Sequence, residues 1–111
     1  MADPIVFKVE ASVWEMMASG RKCWDARRWD MDDERIVRLA KGHWEDYEPV
    51  TEFGGRLGRM PYWQFDEHSV EFLNKVTGEV LVFQFRGFNF EPWAPGWCFM
   101  ELGGIVEHRK G

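Results

Sequence analysis

The sequence predicts an α+β fold: a small, strongly bent sheet or barrel that carries two helices. Three observations predict it. The C-terminal part of the chain alternates apolar and polar residues, as strands with one buried face do. Two stretches in the N-terminal half instead repeat apolar residues at three- and four-residue spacing, the period of a helix packed on one side. Gly87 interrupts the longest alternation at a place where a sheet would bulge and bend. The 111 residues suffice for one domain of ordinary size.

Residues 5–10 alternate and read as the first strand, with Ile5, Phe7 and Val9 on one face. Ser12 then caps a helix, and Glu15 three residues later completes a capping box. Val13, Trp14, Met16 and Met17 form its apolar side, and Gly20 suits the left-handed position just past its end. A helix this short must be held by packing rather than by propensity. Residues 23–29 read as the next strand. Asp30 or Asp32 can cap a second helix running through Arg35 to Trp44, with Ile36, Leu39, Ala40 and His43 on its buried face. Its acidic start, Asp32-Asp33-Glu34, complements the helix dipole.

Pro49 closes that segment. Residues 53–62 follow as a loop in which Gly54, Gly55 and Gly58 surround Arg56 and Arg59. Glycines let a backbone approach a phosphate closely. The spacing matches no phosphate-loop pattern, so the expectation is a flexible turn bordering a pocket. In the strand after Thr77-Gly78, Leu81, Phe83 and Phe85 share a face, and beyond Gly87 the inward role passes to Phe88 and Phe90. Pro92 and Pro95 bracket a turn before a strand at 97–102. Gly103-Gly104 separate that strand from a last one at 105–108.

A net charge of −5 argues against a bulk electrostatic nucleic-acid binder, which carries a basic face. The charge is uneven, however. Arg21, Lys22, Arg27 and Arg28 gather around Asp25, whereas Asp30, Asp32, Asp33, Glu34, Glu45, Asp46, Glu48 and Glu52 make the following stretch acidic. A small basic pocket in an acidic protein suits one phosphate or nucleotide better than a long duplex. Seven Trp and nine Phe supply both a core and candidate exposed stacking surfaces. The start Met1-Ala2-Asp3-Pro4 lacks the basic and apolar run of a secretory signal, and no stretch has the length of a membrane span. With Cys23 and Cys98 far apart, the chain reads as cytoplasmic with reduced thiols. His43, His68 and His108 lack companions at metal-ligand spacing, so neither a metal nor a cofactor is expected.

The most informative run is Ser19-Gly20-Arg21-Lys22-Cys23-Trp24-Asp25-Ala26-Arg27. In a strand, Arg21, Cys23, Asp25 and Arg27 line one face and Lys22, Trp24 and Ala26 the other. For Lys22 to converge with Asp25 and Arg27, the backbone must turn near Gly20. A half-buried lysine beside an arginine sheds its proton more readily and can act as base or nucleophile, and a charged one grips phosphate or polarises a carbonyl. Asp25 can accept from an exocyclic amine, orient Lys22, or serve as general acid and base. Arg27 can hold phosphate through its planar fork. Against these roles stand plain ones: a Lys22–Asp25 surface bridge, and an ion pair of Asp25 with Arg27 or Arg28. Trp24, Trp29, Tyr62 and Trp63 flank the run, and a base stacked on an exposed ring gains roughly 1–3 kcal/mol. Core packing is the competing role for each ring. The Trp93-Ala94-Pro95-Gly96-Trp97 turn offers exposed aromatics to a protein partner.

Gly20 to Arg27 resembles the G-x-K-x-x-E-x-R signature of ASCH domains, which have a PUA-like β-barrel fold. Asp25 stands in the usual glutamate place. Val13-Trp14-Glu15-Met16-Met17-Ala18-Ser19 is similar to the short helix that leads into that signature. Val70-Glu71-Phe72-Leu73-Asn74 and Thr77-Gly78-Glu79-Val80-Leu81-Val82-Phe83-Gln84-Phe85 resemble the family's later barrel hairpin, and Gly96-Trp97-Cys98-Phe99-Met100-Glu101-Leu102 its closing strand. Residues 28–65 match no part of that pattern and read as a helix-plus-loop insertion in a single domain. The resemblance implies a PUA-like barrel of five to six strands with two helices. The chain is also similar in size to small ASCH-related proteins of phages.

ASCH proteins are thought to act on RNA or its nucleotides, and one branch hydrolyses the acetyl amide of N4-acetylcytidine with the motif lysine, a threonine and a distal glutamate. By position Lys22 is that lysine. Asp25 occupies the threonine place, and Glu71, Glu79 and Glu101 are available for the distal role. The leading expectation is a pocket for a single nucleotide or a splayed-out RNA base, built from Gly20, Lys22, Trp24, Asp25 and Arg27 with Arg56, Arg59, Tyr62 and Trp63. A nucleoside amidohydrolase or a metal-independent ribonuclease, with Lys22 and Asp25 as catalytic residues, is the alternative. A third is a protein-binding or inhibitor module that uses the acidic face.

Overall fold

In the computed structural model the described residues are 3–40, 67–111 and, for the backbone, 55–57. Among them are six strands and two helices: β1 (Val6–Val9), α1 (Ala11–Ala18), β2 (Trp24–Arg28), α2 (Glu34–Ala40), β3 (Gly55–Leu57), β4 (Ser69–Asn74), β5 (Val80–Phe90) and β6 (Trp97–Arg109). They form one curled half-barrel sheet in the order β1-β4-β5-β6-β2, with β3 added to β5. All neighbours are antiparallel except β1 and β4. The fold is thus the small α+β barrel-like architecture that the sequence predicts.

The alternating positions explain which face closes. Ile5, Phe7 and Val9 from the first strand, Leu81, Phe83 and Phe85 from β5, and Cys98, Met100 and Leu102 from β6 all turn into one core. The alternation of β5 changes phase as expected. Gly87 adopts a φ of 115°, the pairing with β6 shifts between Phe85 and Phe88, and Phe88 and Phe90 become the inward residues. Only a residue without a Cβ takes that backbone shape at no steric cost. Phe72 ties the centre together, with its ring 6.0 Å from Phe7 and 5.8 Å from Phe83.

Two expectations about strand ends fail. Gly103-Gly104 do not break the last strand: the pairing with β5 shifts register there, between Leu102 opposite Phe85 and Ile105 opposite Phe83, and β6 runs on to Arg109. A Cβ at Gly103 would fall 2.5 Å from Gln84 Oε1, so the glycine there makes room for a neighbouring side chain. The expected turn at 53–62 contains the short strand β3, paired with Phe88 to Phe90.

The helices pack onto the core side. Trp14 and Met17 of α1 are buried and Met16 is exposed, which narrows the apolar stripe expected of this helix. The Trp14 indole Nε1 donates to the Phe72 carbonyl at 3.1 Å, fixing α1 to β4. Ser12 does not cap α1. Glu10 holds the N-cap position without a side-chain capping hydrogen bond, its carboxylate accepting from Lys75 instead, and Ser12 lies inside the helix. Asp33 caps α2 in place of Asp30 or Asp32, its Oδ1 accepting the Arg35 backbone N–H at 3.0 Å. Ile36, Leu39 and Ala40 are buried as expected, and His43 lies outside the described residues. No helix among the described residues is long and apolar enough to cross a membrane.

Candidate functional site

The signature run begins at the end of α1. Gly20, at a φ of 82°, sits just past the helix; its N–H bonds to the Met17 carbonyl, and the Arg21 N–H reaches the Met16 carbonyl. This double closure is a Schellman motif, which turns the chain sharply and satisfies two carbonyls that the helix leaves open. Lys22 N–H also bonds to the Met16 carbonyl at 3.1 Å, so Lys22 is still part of the turn when β2 starts.

Strand alternation then divides the run. Asp25 and Arg27 lie opposite Met100 and Cys98 of β6 and turn toward the core, whereas Trp24, Ala26 and Arg28 lie opposite Glu101, Phe99 and Trp97 on the outer face. Asp25 is buried and forms an ion pair with Arg27, Nε to Oδ2 at 2.6 Å. Burial pushes its carboxyl above the usual 3.8, while the charge and hydrogen bond of Arg27, and then the charge of Lys22, pull it partly back. Arg27 is committed further. Its Nη2 reaches the Lys8 carbonyl of β1 at 3.4 Å, and its guanidinium lies 4.6 Å from the centre of the Phe7 ring.

Lys22 takes the other side. Its Nζ stands 4.5 Å from the centre of the Trp24 ring, a cation–π contact. No hydrogen bond or ion pair joins that ammonium to another described residue. Lys22 and Trp24 are therefore brought together, Asp25 and Arg27 are brought together, and β2 runs between the two pairs. Gly20 shapes the turn that makes both possible. Arg56 is known only as a backbone position in β3, and Arg59, Tyr62 and Trp63 lie outside the described residues. Trp29 packs inward, edge-on to Phe88 and Phe90 at 5.5 and 5.0 Å.

On the outer face, a cavity of about 510 Å³ opens beside Trp24. Its apolar wall is an aromatic chain, with Phe99 6.0 Å from Trp24 and 5.4 Å from Trp93 between ring centres. Trp24 is 46% exposed and Trp93 73% exposed, although both are large rings with neighbours to pack on. The polar edge is formed by Asn89, whose Nδ2 donates to Glu101 Oε1, and by Arg86, which donates to Gln84 Oε1 at 2.9 Å. The exposed Cys23 also lines the cavity, while Cys98 is buried and its thiol is pushed up to about 12.

Asn89, Phe99 and Glu101 are among the lining residues that sequence reasoning did not bring to Trp24. The signal for them is register: Trp24 pairs with Glu101, and Asn89 pairs with Phe99, once β2 and β5 are set against β6. Of the three glutamates weighed for a distal role, Glu101 alone lines this cavity. Glu71 is bound to Arg109, and Glu79 to His108 at 2.8 Å. No group of His, Cys, Asp or Glu among the described residues is arranged to hold a metal ion.

Fold and cavity together define a curled α+β sheet domain with an aromatic, cation-edged pocket on its outer face. Comparison with protein-family models, with curated proteins and with solved structures finds no significant match.

Proposed function

We propose that this chain is an ASCH-like domain whose outer pocket binds a single nucleotide or a splayed-out RNA base. One observation carries the reading: the exposed Trp24 ring, with Lys22 at 4.5 Å, stands at the mouth of a 510 Å³ cavity whose other wall is Phe99 and Trp93. A volume of that order is typical of small-molecule sites. An exposed ring offers a stacking face to any base, and the Asn89–Glu101 pair presents amide and carboxylate groups to its hydrogen-bonding edge. Lys22 supplies positive charge for a phosphate or a carbonyl. Asp25 and Arg27 act from behind, holding β2 in place.

Two-dimensional NMR titration with nucleosides, nucleotides, N4-acetylcytidine and short single-stranded RNA tests this reading. Shifts should concentrate at Lys22, Cys23, Trp24 and Phe99 and on the Trp24 and Trp93 indole N–H signals. Trp24→Ala should weaken binding by roughly 1–3 kcal/mol, the usual worth of one stacking platform. Absence of shifts at millimolar ligand would remove the nucleotide reading.

The position of Glu101 favours one second reading, a nucleoside amidohydrolase. The Glu101 carboxylate and the ring that would hold the base line one pocket, and Lys22 lies on that ring. In that case product signals grow during the same titration with N4-acetylcytidine and vanish in Lys22→Ala, while the shifts caused by substrate persist.

A further inference from the structure

The outer row of β2 reads Trp24, Ala26, Arg28, and the facing row of β6 reads Glu101, Phe99, Trp97. The first pocket uses only one end of these rows. At the other end Arg28 faces Trp97 across the ladder, its guanidinium carbon 5.5 Å from the ring centre. Arg28 is exposed, and Trp97 is 39% exposed. A second hollow of about 290 Å³ adjoins them, lined by Ala26, Arg27, Arg28, Asp30, Asp33 and Arg35 besides Trp97.

The charges in this hollow are unequally engaged. Arg27 is held by Asp25 and the Lys8 carbonyl, and Arg35 by Asp33 and the Val6 carbonyl. Asp30 Oδ1 accepts the Asp32 backbone N–H at 2.9 Å. The Arg28 guanidinium forms no hydrogen bond or ion pair with another described residue and lies against the Trp97 ring. Of the three arginines that line this hollow, it is the one whose head group is not held by a carboxylate. The same unit, a cation lying on a tryptophan, thus occurs twice on one face, as Lys22–Trp24 and as Arg28–Trp97. Four residue steps along the strand separate the two, about 13 Å. Between them lies Ala26, the smallest side chain of its row, paired with Phe99.

We propose that Arg28 and Trp97 form a second nucleotide subsite, so that this face takes a single-stranded RNA segment with one base on Trp24 and another at Trp97. The inference rests on the reading of the first pocket as a nucleotide site. The linking backbone passes along the Ala26–Phe99 pair, and Arg28 holds its phosphate. Duplex does not fit. A base seated on a protein ring has left the stack of its own helix, so bases on Trp24 and at Trp97 come from a splayed single strand.

The test compares cytidine 5′-monophosphate with tetracytidylate by tryptophan fluorescence and NMR, in the wild type, Arg28→Ala and Trp97→Ala. Tetracytidylate should bind the wild type at least about tenfold more tightly than the mononucleotide, since one added platform is worth roughly that much. Arg28→Ala should abolish most of this gain, leave mononucleotide affinity unchanged, and lower the salt slope for the tetranucleotide by about 0.7. Trp97→Ala should do the same without the change in slope, and retained mononucleotide binding shows that each variant is folded. If the mononucleotide binds but lengthening brings no gain, or the gain survives Arg28→Ala, the second subsite is overturned and the first pocket stands. If neither ligand binds, the first reading falls and this one with it.

Discussion

Asp25 is a carboxylate taken out of water with one guanidinium for company, and its titration separates burial from pairing. Burial dominates, so the folded carboxyl keeps its proton to a higher pH than the 3.8 of an unfolded chain. Between those two values the folded state binds more protons, and stability falls as pH rises. Asp33 and Glu79 run the opposite way. Their carboxyls are held down by Arg35 and His108, so their contributions are lost as pH falls. Asp25→Asn keeps the shape at residue 25 and removes its titration while leaving the other two in place. In urea unfolding at a series of pH values, the wild type should gain stability relative to Asp25→Asn as pH is lowered from neutrality toward 3.8. A relative loss would mean that the pairing with Arg27 outweighs desolvation. The sequence places Lys22, Asp25 and Arg27 in one run, but which two meet depends on strand alternation and on how far the turn at Gly20 carries Lys22. The Asp25–Arg27 pair follows from the two-residue period. The seating of Lys22 on Trp24 does too, since both belong to the other face.

At the scale of elements, local rules succeed where local geometry decides. The Schellman closure of α1 is legible because a glycine follows an apolar helical stretch, and the phase change in β5 because Gly87 divides two alternating series. The capping box at Ser12 fails because the chain leaving β1 enters the helix two residues earlier, with Glu10 at the cap. The Gly103-Gly104 break fails because a long partner strand overrides a local weakness, an effect no window on β6 alone contains. For α1 the rule has a measurable magnitude. A Cβ at Gly20 would meet nothing within 4 Å, so substitution costs only the left-handed backbone. Gly20→Ala should lower stability by about 1–2 kcal/mol, and Gly20→Asn by roughly half as much because asparagine tolerates that region. Urea midpoints with an unchanged slope would measure both. Equal stability of Gly20→Ala and wild type would show that the turn relaxes out of the positive φ.

The whole molecule depends on how its curled sheet is finished. β1 gives alternate carbonyls to β4, with Ile5 accepting from Glu71 at 2.8 Å and Val9 from Lys75 at 3.1 Å. The intervening carbonyls, Val6 and Lys8, face the gap toward β2, and no strand covers them among the described residues. Two arginines do. Arg35 Nη1 donates to Val6 at 3.1 Å and Arg27 Nη2 to Lys8 at 3.4 Å, and both guanidinium groups lie over the Phe7 ring, 4.3 and 4.6 Å from its centre. Asp33 and Asp25 hold the two forks in that orientation. The seam of the half-barrel is thus bridged by side chains where a closed barrel would have a ladder. Nothing in the sequence pairs residue 35 with residue 6, because this contact exists only after the sheet has curled. If the arginines work as one closure, removing them is not additive. Arg27→Ala and Arg35→Ala should each cost about 1–3 kcal/mol, since each leaves a carboxylate without its partner and a strand carbonyl uncovered. In the double variant the two losses should depart from their sum by at least about 0.5 kcal/mol, because both groups share Phe7 and one seam. Hydrogen exchange should speed up in β1 and β2 in every variant while the β4–β5 hairpin keeps its protection. Additive losses with unchanged exchange in β1 would reduce the arginines to separate local ion pairs and leave Phe7 alone to hold the seam.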